Sequence, residues 1–276
     1  MLESVGELEK QGFEVIRLEP DETGNITEKQ IYEAVNGDTI LVTVMYVNNE
    51  VGSILPINAV KKAVKRANAP ALIHIDCVQA YGKLPIKPSK IGADLVTVTA
   101  HKIHGPKGVG ALYIKKGTRI VPRTYGGEQE RKIRPGTESS ALIAGFGEAV
   151  RQIPDYAESR KYIGELNAYA RQELEKIEGV KINNPTSSSD YIISVYVPTF
   201  MTSQTVLQHL SAQYGVYVSN GSACAKGKKS HVLSAMKLSD NVIERTVRVS
   251  FGRTNTKQDV DELVKALKET VQKYPL

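Results

Sequence analysis

Apolar positions along the first half of the chain follow two alternating rhythms. Leu2, Val5 and Leu8 share one helical face, and Gly12 ends that helix. Residues 13–18 read as a short strand. Thr27 and Gln30 then form a capping box for a helix reaching Val35. Residues 39–44 (TILVTV) make a buried strand. Pro56 suits a helix start, with Val60, Ala63 and Val64 on the inner face. Further strands are expected at residues 72–75, 95–98 and 111–114. Strands alternating with helices imply crossover connections, hence a mostly parallel sheet covered on both faces.

The rhythm changes in the second half. Residues 139–177 are largely helical, interrupted at Pro154. Residues 192–197, 216–219 and 246–250 read as strands, interleaved with helices over 202–213 and 256–273. The expected fold is α/β: a large domain over residues 1–155 and a smaller α+β domain over residues 156–276.

Composition narrows the function classes. Of 276 residues, 41% are hydrophobic and 24% charged, an ordinary globular balance that excludes disorder. The net charge of +6 is dispersed, Trp is absent and Phe numbers only 4. There is neither a basic block nor an aromatic platform for nucleic acid. Two cysteines exclude a disulfide scaffold and a Cys-based zinc module. No His/Asp/Glu cluster has metal-ligand spacing, and His209 and His231 read as structural or surface histidines. No apolar run has signal or membrane length, so a cytoplasmic protein with no membrane partner is expected.

Four polar clusters follow strands, where open α/β sheets bind ligands. Val47-Asn48-Asn49-Glu50-Val51-Gly52 suits a tight turn or a ligand contact. In Asp76-Cys77-Val78-Gln79, the carboxylate either caps the next turn or faces a cationic ring nitrogen. A strand runs into His101-Lys102, followed by a Gly/Pro-rich loop that is neither a Walker loop nor a dinucleotide fingerprint. A desolvated lysine there has the lowered pKa that carbonyl chemistry needs, whereas a snorkelling one does not. Finally, Cys224 lies in a Gly-rich loop with Lys226, Lys228 and Lys229, whose charges favour thiolate. Cys77, flanked by Ile75 and Val78, reads as buried and inert.

In order, the motifs VNNExG, DxxQ, HKxxGPKG, RPGTE and GSAC make the whole chain similar to NifS/IscS-type cysteine desulfurases. These are class V, fold-type I pyridoxal-phosphate enzymes. The resemblance implies that Lys102 carries the cofactor and shuttles protons. It implies that Asp76 pairs with the ring nitrogen, and that Gln79 and Asn49 bind the ring hydroxyl, with Asn49 also orienting substrate. Thr99 and His101 would contact the phosphate, with His101 also among the catalytic groups. Thr137 would reach the phosphate of a partner subunit, which implies a homodimer. Arg248 would clamp the carboxylate of L-cysteine, and Cys224 would take its sulfur as a persulfide, releasing alanine. Sulfur acceptors or an iron–sulfur scaffold protein would then be partners, for iron–sulfur cluster assembly or tRNA thiolation. A selenocysteine lyase, another class V lyase, or a catalytically silent chain that only binds partners are the alternatives.

The chain departs from the family pattern in three respects. The segment from Cys224 to Ser230 is slightly short. Its lysines would favour an acidic acceptor. The family's N-terminal stretch, with a phosphate-binding Ala-Thr turn and a ring-stacking histidine, is expected before Met1, so the large domain reads as N-terminally truncated.

Overall fold

The computed structural model describes residues 1–221 and 229–276. Helix α1 (Leu2–Lys10) and α2 (Glu28–Ala34) precede the first sheet. The Thr27–Gln30 capping box at α2 forms as expected, each side chain bonding the other residue's backbone N–H. Strand β1 (Leu41–Met45) leads through α3 (Ile57–Arg66) to β2 (Leu72–Asp76). Helix α4 (Pro88–Ile91) then leads to β3 (Leu95–Thr99), and β4 (Gly110–Ile114) follows. The sheet order is β1-β2-β3-β4, with the first three parallel and β4 antiparallel.

One face of this sheet is packed. Ile73, Ile75 and Val96 are buried there with Ala59, Val60 and Ala63 of α3. The opposite face is only half covered by the described residues. It carries Thr43, His74 and Thr97, hydrogen-bonded in a row with His74 Nδ1 2.7 Å from Thr43 Oγ1 and Nε2 2.8 Å from Thr97 Oγ1. These three polar side chains satisfy one another, and the Met1 Sδ lies 3.2 Å from Thr43 Oγ1. The expectation of full cover on both faces is therefore corrected.

Helices α5 (Ser140–Arg151) and α6 (Tyr156–Leu174) are separated at Pro154, as read from the sequence. The side chain of Asp155 caps α6. A second sheet has order β5-β6-β7, all antiparallel: β5 (Lys181–Ile182), β6 (Ile192–Tyr196) and β7 (Thr246–Ser250). Among the described residues, helix α7 (Ser203–Tyr214) and two short helices, α8 (His231–Ala235) and α9 (Asp240–Glu244), lie between β6 and β7, and α10 (Lys257–Lys273) follows β7. Strand β6 is buried throughout, and Ile193, Val195, Leu210 and Leu267 form the centre of a second apolar core.

Two strand expectations fail. Residues 13–18 form no ladder with any described strand, and Phe13 and Ile16 are 46% and 53% exposed. Their alternation has no described neighbour to pair with. Residues 216–219 contribute a single bridge, Ser219 to Arg248, rather than a strand. Lys181–Ile182 is a strand too short to carry a periodic signal.

Candidate active site

Three of the polar clusters lie where the parallel strands end. Asn49 follows β1 in a turn held by Asn48, whose Oδ1 accepts from the N–H groups of Glu50 (2.8 Å) and Val51 (3.0 Å). Asp76 ends β2, and its Oδ1 accepts from Val78 N–H at 2.9 Å. This capping bond leaves the other carboxylate oxygen for a further partner. Gln79 lies in the turn that follows and is buried. Thr99 ends β3, and its Oγ1 lies 3.0 Å from His101 Nδ1. The one-turn 3₁₀ helix Ala100–Ile103 then presents Lys102.

Gly82 explains how close the two turns come. Its φ is +75°, and a Cβ there would sit 2.7 Å from Ile103 of the 3₁₀ helix. The turn carrying Gln79 can therefore press directly against the element carrying Lys102.

Arg248 arrives from the other sheet. Asn49, Gln79, Lys83, Lys102, Tyr191 and Arg248 line a cavity of about 100 Å³. A neighbouring cavity of about 110 Å³ shares Lys83, Lys102 and Tyr191 and adds His104 and Arg253. Arg248 Nη1 donates to the carbonyls of Asn49 (2.7 Å) and Gly221 (2.8 Å). Burial pulls the Arg248 pKa down, and the nearby Glu50 charge opposes that pull. Arg248 Nε is buried without a hydrogen-bond partner among the described residues.

The structure thus brings Asn49, Gln79, Lys102 and Arg248 to one cavity, with Asp76, Thr99 and His101 on the adjoining strand ends. Thr137 is exposed and does not line it. Cys224, Lys226 and Lys228 lie outside the described residues. Lys229 pairs with Asp240 of the same chain at 2.6 Å, so this lysine already has an acidic partner. Cys77 is fully buried and its thiol is pushed up to about 12, first by burial, which suits an inert cysteine.

Lys83 was missed by the sequence reading. Its Nζ lies 3.5 Å from Gln79 Oε1 and 5.2 Å from the centre of the Tyr191 ring. Its only sequence signal is a charged residue set among Ala80, Tyr81 and Leu84, four positions after Gln79. Burial, then the charges of Lys102 and Arg248, push its pKa down to about 8 from the ordinary 10.5. Between these values the folded protein binds fewer protons than the unfolded chain. Stability therefore rises with pH across this window, and the burden of the buried charge is complete below about 8. Lys83→Met is expected to flatten that rise by about 1–3 kcal/mol, as read by denaturant unfolding of the cofactor-free protein below and above this window.

The donor set fits pyridoxal phosphate. It combines a lysine amine, a carboxylate at a strand end, a buried amide and a guanidinium whose Nε–H has no hydrogen-bond partner among the described residues. Among the described residues no group of His, Cys, Asp and Glu is placed to hold a metal ion. No described helix is long and apolar enough to cross a membrane.

Comparison with known proteins agrees with this chemistry. The family model for aminotransferase class-V matches residues 2–263, which places the chain in that class of pyridoxal-phosphate enzymes. The chain is 37% identical over 277 residues to cysteine desulfurase IscS of Dictyoglomus turgidum, covering 99% of this chain and 70% of that protein. It is 38% identical over 270 residues to cysteine desulfurase IscS of Methanosarcina thermophila, covering 96% of this chain and 66% of that protein. Among solved structures, a NifS-like protein superposes with a TM-score of 0.89 at 34% identity, covering 98% of this chain and 72% of that one. The structure of SspA in complex with cysteine gives a TM-score of 0.75 at 31% identity, covering 91% and 70%. The chain belongs to the aminotransferase class-V family, in its IscS/NifS branch of pyridoxal-phosphate-dependent cysteine desulfurases.

Proposed function

We propose that the cavity between the two sheets is where L-cysteine loses its sulfur, and that Cys224 receives it. The observation carrying this reading is the convergence of Lys102 and Arg248, from different sheets, on one cavity with Asn49 and Gln79. An α-amino acid has a carboxylate and an amine. Arg248 binds the first, since a guanidinium matches a carboxylate in two-point geometry. Lys102 is the residue that holds the cofactor and moves protons at the substrate's α and β carbons. Asp76, through its carboxylate, holds the ring nitrogen. Gln79 and Asn49 bind the ring hydroxyl. Thr99 and His101 hold the phosphate, with Thr137 reaching the phosphate of a second copy in a homodimer.

When bound, pyridoxal phosphate supplies an electrophilic carbon for the substrate amine and a ring that accepts electron density as the bond to sulfur breaks. The Cys224 thiolate attacks the substrate sulfur. A sulfur–sulfur bond forms and the carbon–sulfur bond breaks. The electron pair stays with the β carbon, which takes a proton and leaves as alanine. One cysteine and one enzyme thiol become one alanine and one enzyme persulfide, so no outside oxidant is required. Residues 1–155 form the cofactor-binding unit and residues 156–276 the unit carrying Cys224. The persulfide sulfur passes in the cytoplasm to an acceptor or iron–sulfur scaffold protein, for cluster assembly or tRNA thiolation.

The test is to load the chain with pyridoxal phosphate and add L-cysteine without reductant. Alanine is expected in equal amount to sulfur atoms found by mass spectrometry on the peptide containing Cys224. Alanine without sulfur on that peptide would overturn the role of Cys224. Bound cofactor with no alanine would favour a chain that only binds partners.

A further inference from the structure

The motif residue Glu50 has no role in the chemistry above, yet it is almost wholly buried, at 1% exposed. A buried carboxylate is costly unless its oxygens find partners. Ser230 donates its hydroxyl to Glu50 Oε2. Glu50 Oε1 has no hydrogen-bond partner among the described residues. Gly221 packs on the same oxygen: its φ is +63°, and a Cβ there would lie 2.8 Å from Oε2. The Gly221 carbonyl, in turn, accepts from Arg248 Nη1, as does the carbonyl of Asn49, the residue beside Glu50.

We propose that Glu50 is a positioning residue for Arg248, acting through the Asn49 and Gly221 carbonyls to set which edge of the guanidinium meets the substrate carboxylate. The proposal rests on the reading of Arg248 as the carboxylate clamp. A guanidinium is planar and rigid. With Nη1 held by two carbonyls, its Nε–Nη2 edge is turned away from them, and Nε is the N–H left unsatisfied among the described residues. That edge has the two-point spacing that a carboxylate takes. Both carbonyls belong to residues that adjoin Glu50. Asn49 precedes it in the turn held by Asn48, and Gly221 rests against its Oε2. The negative charge also offsets the burial of the Arg248 cation.

The experiment compares Glu50→Gln and Gly221→Ala with the parent, each in an otherwise natural and an Arg248→Lys background, all loaded with pyridoxal phosphate. Glu50→Gln keeps shape and loses charge, so it tests the role without emptying the core. The readings are KM and kcat for L-cysteine, and the equilibrium binding of L-alanine followed by the visible spectrum. Both variants are expected to raise KM and weaken alanine binding about tenfold or more, with kcat within about threefold. In the Arg248→Lys background the same changes are expected to add little, because the group they position is gone. Unchanged KM and alanine binding in both variants would overturn the proposal. An effect of equal size in both backgrounds would also overturn it, since Glu50 would then act independently of Arg248. If Arg248→Lys itself leaves KM and alanine binding unchanged, the clamp reading fails, and the role of Glu50 falls with it.

Discussion

Lys102→Ala is expected to abolish the yellow chromophore that pyridoxal phosphate forms with the parent protein and that borohydride fixes covalently. Sulfide and alanine production from L-cysteine is expected to fall by about 10²–10⁴-fold or more. The reason is structural as well as chemical. Lys102 sits in a one-turn helix directly after β3, and it lines both cavities beside Lys83. The neighbouring lysine does not replace it. Lys83 leaves from the turn after β2, and its amine lies against Gln79 and the Tyr191 ring. Lys102→Arg separates charge from covalent chemistry. Arginine keeps the cation but its guanidinium does not form the carbonyl adduct that an amine forms, so it is expected to be as inactive as alanine. A borohydride-fixed chromophore surviving in Lys102→Ala would place the cofactor on another lysine, Lys83 first. Peptide mapping of the reduced protein reads this directly.

The second large effect is at Arg248. Arg248→Lys is expected to raise KM for L-cysteine by about 10–100-fold, with a smaller fall in kcat. Hydrogen bonds to charged groups contribute about 1.5–3 kcal/mol, which corresponds to that range. Lysine retains the positive charge, so the loss isolates the planar fork. A structural consequence accompanies the kinetic one. Nη1 joins the carbonyl of Asn49, in the turn after β1, to that of Gly221, and both carbonyls lose their donor on substitution. A lowered midpoint in denaturant unfolding is therefore expected alongside the raised KM. A KM unchanged by Arg248→Lys would assign the substrate carboxylate to another cation on the cavity wall, Lys83 first among the described residues.

Much of the frame was legible beforehand because it depends on local signals. The Thr27–Gln30 box, Pro154 between two helices, and the apolar runs of β1, β2 and β3 each require only a few neighbouring residues to recognise. The strand-end positions of Asp76 and Lys102 follow from the same runs. What local pattern missed was pairing. Residues 13–18 have strand-like alternation, but strand status needs a hydrogen-bonded neighbour that the described chain does not provide. Ser219 reaches Arg248 through one bridge, so residues 216–219 stay irregular despite their composition.

The site divides along the same line. The order and residue types of its motifs carried the resemblance to the family, and the cofactor and the reaction followed from that resemblance. Only the tertiary structure decided which of them share a cavity. It brought Arg248 to Asn49 across 199 positions of sequence and Ser230 to Glu50 across 180. It also made Lys83 a wall of the cavity and buried Glu50 against Ser230. Burial and long-range contact arise from how the two sheets pack, and no local window of sequence contains that information.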